Sequence, residues 1–581
     1  MPRLCLLSLL FVSAFAAADP AADFEQLISA FETHELAQDP VRAGRRGDLE
    51  AASRWPDSSP DTLAGRLADE RNFRQQLSDI DADALGEVER VSHLVMAYLL
   101  DSRLELAEFE PQRISFTNDS GFFSVPVQVA QSTRARSVAQ AEAWISRLET
   151  IEEYFAVQTD WLVRGVETGF LQPQLVVSRV MEQIEGVIAI DPDEHPLMAP
   201  MQQLPDHIDE DERARLRRAA RSALIESAMP AYRRLLRFLR EDYLAEPRAS
   251  IGISDVPGGR DYYRWLVRHH TTLDTTPDEI HRQGLAEVER IRSEMDEVIV
   301  ETGFAGSFAE FLHFLRTDPQ FYAQSERELL MKAAWIAKRA DDAMPRFFGH
   351  LPRLPYGVRA VPGAIAPNYT TGRYWSGDLD SGLAGGYMVN TYRLDQRPLY
   401  ELPALTLHEA VPGHHHQIAI AQELENVPEF RRNTYITAFG EGWALYTEWL
   451  GVEMDIYETP YEHFGRLTYE MWRACRLVVD TGIHYFGWSQ EQAEACLLEN
   501  SALAPHNVRT EVERYISWPG QALAYKTGEL LIRELRAEAE ATLGTDFDLR
   551  AFHDHLLAVG AIPLDALAAR MRNWITENEA E

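Results

Sequence analysis

The sequence predicts a mainly α-helical protein with one small β element, and three observations support this prediction. First, capping boxes mark helix starts, as where Thr276 stands three residues before Glu279. Second, stretches such as 211–245 and 277–301 carry apolar residues at helical spacing. Third, glycines divide residues 354–400 into short runs that suit strands and loops. The capping pattern recurs as Ser307 with Glu310, Ser325 with Glu328, and Ser489 with Gln492.

Residues 1–18 have the layout of a cleaved secretory signal peptide. Arg3 precedes an apolar run over residues 4–15, and three alanines follow before Asp19. The run is shorter than the ~20 residues that a bilayer span needs, and no second long apolar stretch follows. We therefore expect a periplasmic or secreted protein without a membrane span.

The charge balance bears on partners. The 581 residues include 56 Lys and Arg against 91 Asp and Glu, a formal net charge of -35. Such a chain repels phosphate backbones and anionic membrane surfaces, so we expect no nucleic-acid partner. The composition carries no signal for an oligomeric state.

A composition shift divides the mature chain. Residues 246–261 are rich in Pro, Gly and Ser, which is typical of a linker. We therefore predict an N-terminal helical half over 19–250 and a C-terminal half over 251–581. Of the cysteines, Cys475 and Cys496 remain in the mature chain; a disulfide is permitted in an oxidising compartment, but buried thiols are favoured.

The segment "LHEAVPGHHHQ", residues 407–417, resembles a zinc-binding helix with altered spacing. The metallopeptidase motif H-E-x-x-H sets two histidines four apart on one face, yet four residues after His408 stands Pro412. In a straight helix His408 and His414 lie about 9 Å apart along the axis and roughly 120° apart around it. Because proline and glycine interrupt helices, we predict a bulge of two residues at Val411-Pro412 that returns both histidines to one face.

The bulge leaves Glu409 beside the metal and makes His414 the second ligand. His415 is the alternative second ligand, and His416 is disfavoured. A third ligand is required, and "FGEGWALYTEWL", residues 439–450, supplies Glu441 on a helix that can return to the histidines. Glu448, seven residues later on the same face, is a candidate to orient a ligand imidazole. We expect one Zn²⁺ per chain.

Five segments together resemble the bacterial family called domain of unknown function 885, which is placed among zincin-like metallopeptidases. The resemblance covers nearly all of the mature chain and is densest over 261–536. It is carried by "DYYRWLVRHHTTLDTTPDEIH", "HEAVPGHHHQ", "GEGWALYTEWL", "RACRLVVDTGIHYFGWSQEQA" and "RYISWPGQALAYKTGELLIRELR".

More distantly, the segment around Glu441 resembles the N-E-G-F-A-x-Y-x-E segment of aminopeptidase N-type enzymes, whose glutamate is the third zinc ligand. The helical build is similar to thimet oligopeptidase, angiotensin-converting enzyme and the thermostable carboxypeptidases. These likenesses imply a deep cleft between two helical halves and short peptide substrates. The chain departs from all of them at Pro412.

The chemistry expected at such a site is metal-assisted hydrolysis. Glu409 accepts a proton from the attacking water and passes it to the leaving amine. The developing oxyanion needs a donor, for which Tyr525, Tyr515 and His484 are candidates. The setting of Tyr525 resembles the tyrosine-bearing helix of the helical peptidases, so Tyr525 is favoured, although tyrosines in long helices often only pack.

Other residues are candidates for substrate contact. "GLAGGYMVNTY" could form an edge strand that pairs with a peptide backbone, with Tyr387 and Asn390 touching substrate; Asn390 could instead close a turn. Arg473 and Arg476, with Asp480 behind them, could bind a substrate carboxylate or pair with buried acids.

The sequence therefore predicts an exported zinc metallopeptidase. Two alternatives remain open: a zinc amidase acting on a non-peptide amide, and a non-catalytic helical protein that binds metal or another ligand.

Overall fold

The computed structural model describes residues 19–245, 247–363, 365–379 and 382–579. The predicted signal peptide, residues 1–18, lies outside the described residues. The prediction of a mainly α-helical fold with a small β element in 354–400 is confirmed. Within the described ranges, no helix combines the length and apolarity needed to cross a bilayer.

The helices fall into two series, before and after residue 250. The first series is α1 Pro20–Gln38, α2 Pro40–Arg45, α3 Leu49–Ala52, α4 Pro60–Ser78, α5 Glu87–Ala107, α6 Val125–Ser132, α7 Val138–Glu149, α8 Ile151–Thr168, α9 Gln174–Ala189, α10 Ala199–Gln202, α11 Glu210–Ala223 and α12 Met229–Phe238. The second is α13 Gly259–Thr271, α14 Pro277–Thr302, α15 Phe308–Thr317, α16 Glu326–Phe347, α17 Leu402–Glu409, α18 His414–Glu423, α19 Glu429–Asn433, α20 Thr437–Leu450, α21 Pro460–His484, α22 Gln490–Asn500, α23 Pro505–Ser517, α24 Ala524–Leu543, α25 Leu549–Leu557 and α26 Leu564–Glu579.

The predicted capping boxes begin α14, α15 and α22, where the side chain and backbone bonds are both present. At the start of α16 only half of the pattern forms. The Ser325 side chain accepts from the Glu328 N–H, but the Glu328 carboxylate accepts from Gln324 at 2.8 Å. The helix start is nevertheless the predicted one.

The β element is a three-stranded sheet of β1 Tyr356–Ala360, β2 Gly372–Trp375 and β3 Gly385–Val389, in the order β1-β3-β2. β3 pairs parallel with β1 and antiparallel with β2. The prediction that "GLAGGYMVNTY" supplies an edge strand is therefore wrong, because both edges of β3 are occupied by neighbouring strands. β2 lies at one edge of the sheet instead.

One apolar core joins the two predicted halves. It includes Phe24 and Leu148 from the first series of helices and Trp443 and Phe552 from the second, all of them buried. The helices that carry the candidate site lie inside this core. α20 crosses α24 at a pair of glycines, where a Cβ on Gly442 would come within 2.5 Å of the Gly528 backbone.

The two thiols Cys475 and Cys496 face each other across α21 and α22. Both are free, with the Sγ atoms 3.2 Å apart. A disulfide requires an S–S distance of about 2.05 Å, so the structure shows a pair of adjacent thiols.

A buried ion cluster ties α14, α21 and α24 together. Lys526 is fully buried, and its Nζ lies 3.0 Å from Glu287, 2.8 Å from Glu470 and 2.8 Å from Glu529. Buried charges of this kind are tolerated only when they are paired. Lys526 therefore holds three acidic side chains at the junction of three helices.

Replacing Lys526 by Met should lower the free energy of unfolding by about 3 kcal/mol, because breaking a buried pair from one side leaves uncompensated charge. Urea unfolding followed by circular dichroism measures the change. The matched control is Lys338→Met: the Lys338 side chain is 77% exposed and pairs with Asp341 in its own helix, and its change should stay within about 0.5 kcal/mol. Equal losses in both variants would contradict the role given to Lys526.

Candidate metal centre

The histidine segment forms two helices with a break between them. α17 ends at Glu409 and α18 begins at His414, and the Val411-Pro412 peptide bond is cis. The Gly413 N–H donates to the Leu407 carbonyl at 3.0 Å, and the His415 N–H donates to the Ala410 carbonyl at 3.1 Å. The predicted two-residue bulge is thus a four-residue interruption. Its hydrogen bonds link the start of α18 to the end of α17.

Two contacts hold the break in place. A Cβ on Gly413 would lie 2.0 Å from the His408 carbonyl oxygen and 2.3 Å from that of Leu407. The position therefore accepts only glycine, because the backbone of α17 passes too close for any side chain. On the other side, the Trp443 indole donates to the Pro412 carbonyl at 2.8 Å.

The structure brings His408, His414 and Glu441 together. Glu441 Oε2 lies 3.4 Å from His408 Nε2 and 3.3 Å from His414 Nε2, and the three ligand atoms are all within 4.8 Å of one another. Two ligand atoms on a tetrahedral zinc at ~2.05 Å are separated by about 3.3 Å. The two distances to Glu441 match that geometry.

The surrounding polar atoms also fit a cation. Within the described part of the chain, the buried Nδ1 of His414 and Oε2 of Glu441 make no hydrogen bond. Burial opposes ionisation of Glu441, yet the two imidazoles hold the pKa of its carboxyl well below the usual value. A carboxylate facing two imidazole nitrogens is a donor set that suits zinc.

Glu448 orients one of the candidate ligands. Its Oε1 lies 2.8 Å from His408 Nδ1, which leaves His408 Nε2 directed toward Glu441. Arg473 approaches the same oxygen at 3.5 Å. Although burial alone would lower it, the carboxylates of Glu441 and Glu448 raise the pKa of His408 to about 10. A bound metal would have to displace that proton.

The Glu448→Gln variant should bind zinc 10- to 100-fold more weakly, since losing the carboxylate behind a ligand imidazole has about that effect. Competition with a chromogenic chelator measures the dissociation constant. Glu453→Gln is the control, because Glu453 lies just beyond the end of α20 and pairs with Arg536. Unchanged zinc affinity in Glu448→Gln would contradict the role of this carboxylate.

Glu409 lies between the histidines and the sheet. Its Oε2 accepts the backbone N–H of Tyr374 on β2 at 2.6 Å. The negative charge of Glu409 also contributes to the raised pKa of His408, although less than Glu441 and Glu448, and all three act against the lowering effect of burial. One carboxylate oxygen is therefore fixed by the sheet edge, next to the candidate metal ligands.

The other two histidines of the run point elsewhere. His415 Nδ1 lies 3.1 Å from the Tyr374 hydroxyl, and burial lowers its pKa to about 4. His416 packs against Phe348, with ring centroids 4.7 Å apart. The structure places His414, the ligand favoured from the sequence, in the cluster and leaves His415 and His416 outside it.

Two of the three predicted oxyanion donors are engaged in the core. The Tyr515 hydroxyl accepts from Trp472 at 2.8 Å and from Arg476 at 3.0 Å. His484 has both ring nitrogens at backbone groups, 3.1 Å from the Ile253 N–H and 2.9 Å from the Tyr515 carbonyl oxygen. The structure does not bring either residue to the cluster of His408, His414 and Glu441.

Tyr435 faces Glu441 of the cluster, and Tyr525 lies next to Tyr435. Tyr435 is 47% exposed as a whole residue, but its hydroxyl end is buried. That burial, then Glu441 and Tyr525, raise the pKa of Tyr435 well above its usual value, so its hydroxyl lies near both side chains. The ring of Tyr435 covers Gly440, where a Cβ would meet it at 2.6 Å. Sequence reasoning missed Tyr435, although it precedes Glu441 by only six residues.

The predicted substrate-contact residues are mostly enclosed. Tyr387 is fully buried, with its hydroxyl 3.2 Å from Thr406. The Asn390 side chain donates to the carbonyls of residues 366, 369 and 370, which closes the turn before β2. Neither side chain is presented to a substrate.

The predicted arginines pair with buried acids, as the alternative interpretation held. Arg473 approaches Glu448, and Arg476 lies 3.0 Å from Glu511. Asp480 accepts from the Tyr263 hydroxyl at 2.6 Å and from the Gly520 N–H at 3.0 Å, and burial raises its pKa to about 7. Arg473 contacts Glu448, which is bonded to the candidate ligand His408, whereas Arg476 and Asp480 tie α21 to its neighbours.

Known proteins place the chain in a family. The model of the family described as "Bacterial protein of unknown function (DUF885)" matches residues 40–571. The chain belongs to the DUF885 family. No curated protein matches this DUF885 chain.

Two solved structures share the fold. A Colwellia psychrerythraea protein is 28% identical with a TM-score of 0.87, covering 96% of this chain and 99% of its own. A Shewanella oneidensis protein is 18% identical with a TM-score of 0.75, covering 96% of this chain and 100% of its own. Both are described as a "putative lipoprotein", the second as being of unknown function.

Proposed function

We propose that this DUF885 protein is an exported zinc-dependent peptidase that acts on short peptides. The observation that carries the proposal is the convergence of His408, His414 and Glu441, with ligand atoms within 4.8 Å of one another, beside the carboxylate of Glu409. Two histidines, a glutamate ligand and an adjacent glutamate base form the residue set of zinc hydrolysis. Export is supported by the signal-like residues 1–18 and by the lipoprotein descriptions of the two structural relatives.

Glu409 has the role of general base. Bound zinc would polarise the scissile carbonyl and lower the pKa of water. Glu409 takes the proton of the attacking water and returns it to the leaving nitrogen. The Tyr374 N–H holds one oxygen of the Glu409 carboxylate, which leaves the other oxygen to carry the proton.

Tyr435 and Tyr525 are the candidate donors to the oxyanion. Tyr435 is 47% exposed while its hydroxyl faces Glu441, so it can contact a substrate and the centre together. Tyr525 is 7% exposed and stacks on Arg476, whose guanidinium lies 4.3 Å from the ring centroid. A phenol hydroxyl aimed at the developing charge stabilises the transition state.

β2 replaces β3 as the strand available to a peptide backbone. Its Tyr374 N–H points away from β3 and toward Glu409. A peptide laid along this edge would have its backbone next to the general base.

The proposal is tested by depleting the purified protein of metal with a chelator, restoring zinc, and digesting a mixed peptide pool. Mass spectrometry of the products should show cleavage only in the zinc-restored sample. Hydrolysis of acylated amines without peptide cleavage would favour the amidase alternative. A zinc-loaded chain that cleaves neither would overturn the enzymatic function and favour the non-catalytic alternative.

A further inference from the structure

A cavity of about 190 Å³ is lined in part by Tyr435. Its walls come from one face of α5, from the last turn of α13 and from residues 435–437 at the start of α20. None of these residues has a role in the proposed hydrolysis except Tyr435. The proposed hydrolysis therefore does not explain what the cavity binds.

The position of the cavity links it to the metal centre. Tyr435 lines the cavity and turns its hydroxyl toward Glu441. Thr437, also on the wall, stands four residues before Glu441 on α20. Residues four apart lie on the same helix face about 6 Å apart. A side chain bound in the cavity could therefore belong to the residue next to a carbonyl held at the candidate metal centre.

The cavity wall is largely apolar. Leu99 and Leu106 from α5 line it together with Ile436, and Tyr98 adds to the same surface. A buried aliphatic or aromatic side chain gains roughly 1.5–3 kcal/mol in such surroundings. The wall therefore favours an apolar occupant.

The charges around the cavity are compensated. Arg103 is held by both oxygens of Glu35 at 2.8 Å and lies 3.6 Å from Glu70. Burial lowers the pKa of His269, and it lowers that of His270 to about 3, so both imidazoles are neutral. Among the described residues of the wall, no charge is left to pair with an ionised guest. A charged side chain would lose its hydration without compensation.

We propose that this cavity is a specificity pocket that binds an uncharged apolar side chain, aliphatic or aromatic, of the substrate residue next to the cleaved bond. That the occupant belongs to a substrate rests on the proposed peptidase function. The binding of an apolar side chain in the cavity does not depend on catalysis. The pocket thereby names the class of peptide, with leucine-like or phenylalanine-like residues at one position.

Binding is tested on the metal-free chain by saturation-transfer NMR with blocked amino acids. N-acetyl-leucinamide and N-acetyl-phenylalaninamide should receive saturation, whereas N-acetyl-glycinamide and N-acetyl-aspartate amide should not. Ser102→Phe fills the cavity from α5 and should abolish the signal. Ser78→Phe, at an exposed position at the end of α4, is the matched control and should retain it. Equal signals from the glycine and leucine probes, or an undiminished signal in Ser102→Phe, would overturn the pocket.

Cleavage of a peptide library by the zinc-loaded chain supplies the second readout. The wild-type protein should prefer leucine or phenylalanine over glycine at one position beside the cleaved bond by about 10-fold or more, the discrimination that an apolar pocket provides. Ser102→Phe should remove that preference, and Ser78→Phe should keep it. Apolar probe binding without any cleavage would remove the proposed function and leave the pocket standing. Cleavage whose residue preference is unchanged in Ser102→Phe would overturn the pocket and leave the proposed function standing.

Discussion

Glu409→Gln should lower kcat for peptide hydrolysis by about 100- to 10,000-fold, the range attributed to a positioned general base. The amide keeps the size of the side chain and can still accept the Tyr374 N–H, which now lies 2.6 Å from Oε2. It cannot accept a proton from water. Zinc content should be unchanged, because Glu409 is not among the three clustered ligand atoms.

The experiment measures kcat and zinc content on the same preparation. Glu425→Gln is the control, since Glu425 is exposed in the loop after α18 and should leave both quantities unchanged. Full activity in Glu409→Gln would contradict the assignment of Glu409 as the general base. Loss of zinc together with activity would instead make Glu409 part of the metal-binding set.

Gly413→Ala should remove zinc binding and destabilise the fold by at least about 3 kcal/mol, the upper end of ordinary overpacking costs. A Cβ at this position would lie 2.0 Å from the His408 carbonyl oxygen. The added methyl group must push α18 away from α17. His414 would then leave Glu441, and the metal would lose a ligand.

Zinc competition and urea unfolding measure the two effects of this substitution. Gly186→Ala in α9 is the matched control, because a Cβ there meets nothing within 4 Å. Its unfolding free energy should change by less than about 1 kcal/mol. A Gly413→Ala protein with wild-type zinc affinity would show that the break between α17 and α18 does not position His414.

The fold class and most helix starts could be predicted because they depend on local signals. In each of α14, α15 and α22, the two residues of the capping box are three positions apart in the sequence. The interruption at Pro412 could also be predicted, because a proline in the interior of a helix removes a backbone hydrogen bond and clashes with the preceding turn. Its form was not predictable from residue types. It depends on a hydrogen bond from Trp443, which lies 31 positions away in the sequence.

The central place of β3 illustrates the opposite case. Its glycine-rich sequence suits either a centre or an edge strand, and the difference lies in β1, whose Tyr356 pairs with Gly385. Every residue of β3 is buried, which its glycines do not reveal. Non-local pairing therefore decided the outcome.

The oxyanion candidates show the same limit. Tyr525 and Tyr515 stand in one motif, yet Tyr525 lies near Tyr435, while Tyr515 is bonded to Trp472 and Arg476. Tyr435 precedes α20 in a segment without any recognisable pattern. Its approach to Glu441 arises from the path of the chain between α19 and α20, which no motif describes.

The most direct test of the account is the zinc content of the purified protein after zinc is added and unbound metal is removed by dialysis. Elemental analysis should find about one zinc per chain, as a site of three protein ligands holds one ion, and none in His414→Ala or Glu441→Ala. A wild-type chain that retains no zinc, or a His414→Ala variant that retains as much as the wild type, would contradict the metal centre of His408, His414 and Glu441.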